Sequence, residues 1–172
     1  MPDAALKITI VSGNPKPESR TLLIAHRFAE GVFGARGGAI DIIELSAHAR
    51  DLFDWNAADV DELVKRVAAS DVVIFATPTY KAAYTGLLKA FLDRLPANGL
   101  SGVVAFIVMT GGDFHHALAP HETLTPLLLE LAANVPHRGL FFNTAQIEQI
   151  DVIVADYVAE VRQSLTRIGR IA

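Results

Sequence analysis

The sequence predicts a three-layer α/β sandwich, with a five-stranded parallel sheet covered by helices on both faces. Three observations carry this. Apolar β-branched runs alternate five times with helical patterns along 172 residues. The run Val72-Val73-Ile74-Phe75 is hydrophobic throughout, as suits a central parallel strand buried on both faces. The length suits one domain over residues 1–172 with a sizeable core.

The elements follow in order. Leu6 to Val11 reads as a buried strand. Ser19 to Phe33 reads as a helix, with Leu22, Ala25, Ala29 and Val32 at helical spacing, and Gly34, Gly37 and Gly38 end it. Ala39 to Leu45 is a second strand. Ser46 to Ala58 is an irregular loop carrying Phe53 and Trp55. Asp59 to Ala69 is a short helix with Asp59 as its cap and Val60, Leu63, Val64 and Val67 on one face. Asp71 to Ala76 is the third strand, and Thr77 to Lys81 is the loop after it. Tyr84 to Leu95 is a helix with a wide apolar stripe. Val103 to Met109 is the fourth strand, followed by Thr110 to Asp113. Leu118 to Asn134 reads as one helix, Gly139 to Phe142 as a short fifth strand, and Asn143 to Gln149 as a loop. Asp151 to Ile168 is the last helix. Such a chain suits the flavodoxin-like strand order 2-1-3-4-5.

Composition narrows the function. Net charge is −4 with both signs spread along the chain, which argues against a nucleic-acid partner. Cysteine is absent, so disulfides, thiolate catalysis and cysteine-held metals are excluded. Met1-Pro2-Asp3-Ala4 has no basic region followed by an apolar one, and no uncharged apolar stretch reaches membrane-spanning length. A cytoplasmic protein without a membrane partner is expected.

In a doubly wound sheet the ligand lies beyond the carboxyl ends of the strands, at the switch point between strands 1 and 3. That rule selects three loops. Ser12-Gly13-Asn14-Pro15-Lys16-Pro17-Glu18-Ser19-Arg20-Thr21 turns a strand into a helix, where free N–H groups and the helix dipole favour an anion. Ser19 and Thr21 add hydroxyls; Lys16 and Arg20 add charge. The loop reads as a phosphate cradle, although Ser19 is also a good N-cap and such a turn needs no ligand. It matches neither the P-loop nor the dinucleotide fingerprint. Pro78, Thr79, Tyr80 and Lys81 offer a rigid turn with an aromatic ring. Gly111 and Gly112 let backbone approach a flat ligand, or form a plain turn. His115 and His116 cannot face one way on a regular element, and no carboxylate pattern completes a site with them. A polar contact or a helix start is the reading there, and no metal is expected.

Three segments together resemble the NADPH-dependent FMN reductases, and most closely the sulfonate-utilisation type that feeds reduced flavin to a monooxygenase. They are Ser12–Thr21, Ala76-Thr77-Pro78-Thr79-Tyr80-Lys81-Ala82-Ala83-Tyr84-Thr85-Gly86, and Thr110-Gly111-Gly112 with His116. The resemblance spans Ile8 to Phe142. It implies a flavodoxin-like fold, FMN with NADPH or NADH, and a homodimer or homotetramer. It implies that Asn14, Lys16, Ser19, Arg20 and Thr21 hold the FMN phosphate, with Ser12 among the cofactor-binding residues of the same loop. Pro78, Thr79, Tyr80 and Lys81 would line the ribityl chain and ring; Thr110, Gly111, Gly112 and His116 would approach the ring's other side. No side chain is expected to act as a catalytic acid or base, because the cofactor carries the reaction. Relatives usually carry Ser at the position of Asn14. A quinone or azo reductase with bound FMN, and a flavin-binding module without turnover, are the other readings of these loops.

Overall fold

The computed structural model describes residues 5–34, 38–167 and 169. Its strands are β1 (Ile8–Ser12), β2 (Asp41–Glu44), β3 (Val72–Pro78), β4 (Val104–Gly111) and β5 (Leu140–Asn143). All neighbours pair in parallel, and the order across the sheet is β2-β1-β3-β4-β5. The expected fold class and strand order are therefore observed. The helices are α1 (Arg20–Phe33), α2 (Ala58–Ala68), α3 (Gly86–Leu92), α4 (Thr125–Glu130) and α5 (Ile150–Arg167). Gly37 and Ile168, expected at helix ends, lie outside the described residues.

Alternation along the strands divides the core in two. Ile8, Ile10, Ile74, Phe106 and Phe142 face α1 and α5, where Phe28 stacks against Phe106 with ring centroids 5.4 Å apart. Val11, Val73, Phe75, Ile107 and Met109 face Leu63 of α2, Phe91 of α3 and Leu128 of α4. Every residue of β1 and β3 is buried, because helices cover both faces of these central strands. Gly31 of α1 lies close under Val158 of α5: a Cβ there would come within 2.7 Å of Val158 Cγ2, so these helices meet at a small residue.

Several elements differ from the sequence expectation, each for a visible reason. The helix α2 begins at Ala58, and its Ncap is Ala57, which makes no side-chain cap. Asp59 sits inside the first turn with Asp61, where a carboxylate meets the positive end of the dipole without capping it. The helix α3 starts at Gly86 because Thr85 caps it, accepting from the N–H of Leu88. The expected helix Leu118–Asn134 is broken into a widened turn over Pro120–Leu124 and then α4, which ends at Glu130. Pro126 has no N–H to return to the preceding turn, so one continuous α-helix cannot pass through it. The strands β3 and β4 run to Pro78 and Gly111, because Thr77 pairs with Met109 and Pro78 with Thr110.

The segment after β2 is tied down by one buried cation. The side chain of Arg94 is 2% exposed and bonds Asp61 Oδ1 at 2.6 Å. It donates to the carbonyl of Asp54 at 2.7 Å and lies 5.0 Å over the ring of Trp55. Phe53 and Trp55 remain exposed at the surface of this segment.

Thr85 joins β1, β3 and α3. Its hydroxyl donates to the carbonyl of Gly13 at 2.6 Å and accepts from the N–H of Leu88, while its own N–H donates to Thr77 Oγ1. Thr85→Val keeps the shape and removes the first two bonds. It is expected to lower unfolding free energy by about 1–3 kcal/mol in urea denaturation. Unchanged stability would show that this junction is not held by the hydroxyl.

Candidate active site

The parallel register brings the strand ends to one edge. Ser12 aligns with Ala76, Pro78 with Thr110, and Gly111 with Asn143. The loops leaving these ends surround a cleft of about 380 Å³, the size of a small-molecule site.

The first loop begins at Gly13, whose N–H donates to the carbonyl of Ala76 at 2.7 Å. A Cβ at Gly13 would come within 2.7 Å of Leu88 Cβ, so α3 packs where any side chain would stand. Asn14 then accepts the N–H of Lys16 on its Oδ1 at 2.9 Å, a local turn typical of Asn. Glu18 sits at φ 49° and donates its N–H to Glu44 Oε2 at 2.9 Å, which ties the loop to the end of β2. Ser19 caps α1 by accepting from the N–H of Leu22. The N–H groups of Ser19, Arg20 and Thr21 have no acceptor among the described residues. They stand at the positive end of a helix with the cations Lys16 and Arg20 on the same wall.

A hydrogen-bonded chain joins this loop to the end of β4. Asn14 Nδ2 donates to Thr21 Oγ1 at 3.0 Å, and Thr21 Oγ1 lies 2.8 Å from Thr110 Oγ1. The carbonyl of Thr110 accepts the N–H of Thr79 at 2.7 Å. Thr21 and Thr110 are buried, so the chain forms part of the cleft's packed wall. Thr79 also lines the cleft, and its Oγ1 is buried without a partner. Such an orphan is uncommon in a packed protein and fits a wall that meets a polar ligand.

The structure gathers most of the residues named from sequence. Asn14, Lys16, Ser19, Arg20, Thr21, Pro78, Thr79, Tyr80, Thr110, Gly111 and Gly112 all line the cleft. Ser12 does not: it is fully buried in β1, with its hydroxyl unpartnered behind the wall. Lys81 does not either. Lys81 and Ala82 adopt φ 51° and 65° at the tip of a tight turn closed by mutual backbone bonds between Tyr80 and Ala83. His116 is exposed on a short helical turn capped by Asp113, outside the cleft wall. Asp113 accepts from both the N–H and Nδ1 of His115, and these bonds hold its carboxyl below the usual range.

The two glycines play different parts. A Cβ on Gly111 would come within 2.5 Å of Phe141 Cζ, so β5 alone explains its small size. A Cβ on Gly112 would meet nothing within 4 Å, so its missing side chain leaves open space in the cleft. Glu18 and Thr144 complete the wall and were not named from sequence. Arg20 Nη1 points to the carbonyl of Thr144 at 3.5 Å. Thr144 follows the last strand, so the strand-end rule applied to β5 would have reached it. The wall consists of hydroxyls, amides, two cations and the single carboxylate of Glu18, a set that keeps a net positive charge beside the free N–H groups and suits an anion and a flat polar ligand.

A family model described as NADPH-dependent FMN reductase matches residues 6–147. The chain belongs to that family. It is 28% identical to an FMN reductase (NADPH) of Pseudomonas putida over 145 residues, 81% of this chain and 72% of the relative. It is 30% identical over 156 residues to the NADH-dependent FMN reductase SfnF of Pseudomonas putida, 87% of this chain and 83% of the relative. The apo form of an NADH:FMN oxidoreductase superposes with a TM-score of 0.82 at 30% identity, covering 92% of this chain and 89% of that one. The names of these relatives divide between NADPH and NADH. The cleft fits FMN on its own chemistry. It pairs unclaimed N–H groups and two cations with an orphaned hydroxyl and the open face at Gly112.

Gly111→Ala is expected to cost about 1–3 kcal/mol of stability, since Phe141 must move, whereas Gly112→Ala should change it by less than about 0.5 kcal/mol. Thermal denaturation of the two variants checks the contrast, and equal losses would refute it.

Proposed function

We propose that this FMN reductase holds FMN in the cleft beyond β1, β3 and β4, with the phosphate at the start of α1. The observation that carries this placement is the group of free N–H donors at Ser19, Arg20 and Thr21 beside Lys16 and Arg20. They are fixed before any ligand arrives, so an anion finds its donors already oriented. Pro78 and Thr79 line the path from the cradle toward Tyr80, and the orphaned Thr79 hydroxyl is available to the ribityl chain. Tyr80, half-exposed at the rim, and Gly112 flank the space for the ring. When bound, FMN supplies the ring position that accepts hydride from NAD(P)H.

The protein's work is therefore binding and orientation. Thr110, held by Thr21 and by the N–H of Thr79, fixes the spacing between the two ligand loops. Gly112 leaves room on the open side for a nicotinamide to approach. The cleft stays open to solvent at Tyr80, which suits a flavin that enters and leaves. The reduced flavin is handed to a flavin-dependent monooxygenase, in keeping with the resemblance to the sulfonate-utilisation reductases. The enzyme works as a homodimer or homotetramer in the cytoplasm, where reduced nicotinamides are made. No helix among the described residues is long and apolar enough to cross a membrane.

Anaerobic mixing of the purified chain with NADPH or NADH and excess FMN is expected to bleach the flavin over many turnovers. Bleaching of quinones or azo dyes with no turnover of free FMN would sink this reading. Arg20→Ala should weaken FMN binding by about 1–3 kcal/mol with little change in melting temperature, because Arg20 is exposed and makes only a long internal contact. Titration of FMN fluorescence reads the loss, and an unchanged affinity would remove Arg20 from the phosphate site.

A further inference from the structure

The amide of Asn14 has a determined orientation. Its Oδ1 accepts the backbone N–H of Lys16 at 2.9 Å. A backbone N–H only donates, so the NH2 end must be the one that faces Thr21, donating to Oγ1 at 3.0 Å. Thr21 Oγ1 in turn lies 2.8 Å from Thr110 Oγ1. Two hydroxyls that share one hydrogen bond leave one proton over. That proton cannot go to Asn14, which presents a donor on this side. Thr21 and Thr110 are 2% and 3% exposed, and both line the cleft. With Thr110 donating, Thr21 accepts from both Asn14 and Thr110, which fills its acceptor sites and turns its own proton away from Asn14.

An acceptor at position 14 would reverse this. Thr21 would donate to it, Thr110 would donate to Thr21, and the pair would have no proton left for a ligand. The direction of the chain thus depends on the donor end of one half-buried amide in the first loop.

We propose that Asn14 is a positioning residue: by facing Thr21 with a donor, it keeps one hydroxyl proton of the Thr21–Thr110 pair for a ligand group that only accepts hydrogen bonds. A phosphate ester is such a group; the terminal alcohol of a dephosphorylated flavin is not. The inference rests on the reading of the cleft as the FMN site, and it makes the recognition of FMN over riboflavin depend on the direction of a hydroxyl chain as well as on charge.

The test is a cycle of four proteins: the native chain, Asn14→Asp, Thr21→Ala and the double variant. Each is titrated with FMN and with riboflavin, and each is melted to confirm folding. Asn14→Asp replaces the donor by an isosteric acceptor and also adds a negative charge near the phosphate. The charge acts in both backgrounds, whereas the reversed hydroxyl acts only where Thr21 is present. The FMN affinity lost on Asn14→Asp is therefore expected to be at least about tenfold larger with Thr21 than in the Thr21→Ala background. Riboflavin affinity should change less than about twofold in every variant, since no hydrogen bond to a charged group is at stake. Equal losses in the two backgrounds would mean charge repulsion alone and would overturn the proposal. If Asn14→Asp does not fold, Asn14→Ala replaces it in the same cycle, and additive losses there would show that Asn14 meets the phosphate independently of Thr21. A native chain that binds no FMN would overturn the functional reading and this inference together, whereas FMN binding with additive losses overturns only the inference.

Discussion

The first loop can leave the sheet where it does because Gly13 has no side chain and α3 packs against that gap. The hydroxyl of Thr85 then holds the Gly13 carbonyl and caps α3 with the same oxygen. Together with the bond from the Gly13 N–H to the Ala76 carbonyl, this contact sets the position of the cradle relative to β3 and the start of the helix beneath it. Displacing α3 would move Gly13 and, with it, the donors at the start of α1. The cleft is thus supported from the side of the sheet that carries α2, α3 and α4, although its anion donors belong to a helix on the opposite face.

A second tie crosses the cleft itself. Thr21 belongs to α1, Thr110 to the end of β4, and Thr79 to the segment leaving β3, yet they form one hydrogen-bonded line. Each link is short and mostly buried, which gives a polar interaction more force than it would have in water. The line fixes the distance between the donors for an anion and the space at Gly112. A ligand with a phosphate at one end and a flat ring at the other needs that distance held before it binds.

Much of this was readable along the chain. The two periodicities, one for strands and one for helices, identify the five βα units. The uniformly apolar Val72–Phe75 marks the centre of the sheet, and the strand-end rule then points to three loops that do converge. Ser19 as a cap and Gly34 as a helix end follow from local backbone chemistry. The misreadings are also local in origin. Asp59 looks like a cap because Asp caps helices, but Ala57, two residues earlier, takes that place. Leu118–Asn134 keeps an apolar helical spacing across Pro126, so the spacing conceals the break that the missing N–H imposes.

What the sequence by itself determined is the order of the elements and the composition of the loops at the strand ends, because each follows from periodicity or from residue types within a few positions of one another; the family was legible as a resemblance carried by three separate segments between Ser12 and His116. Only the tertiary structure decided which loop residues face the cleft. Lys81 lies outside the cleft lining, at the tip of a turn that Lys81 and Ala82 make with positive φ angles and that Tyr80 and Ala83 close. Gly111 is small because of Phe141, on another strand, and not because of a ligand. Ser12 is buried because strand alternation puts it, with Ile8 and Ile10, on the face that α1 and α5 cover, and Thr144 reaches the wall because β5 ends beside β4. These outcomes depend on contacts between segments far apart in the chain, and no reading of neighbouring residues contains them.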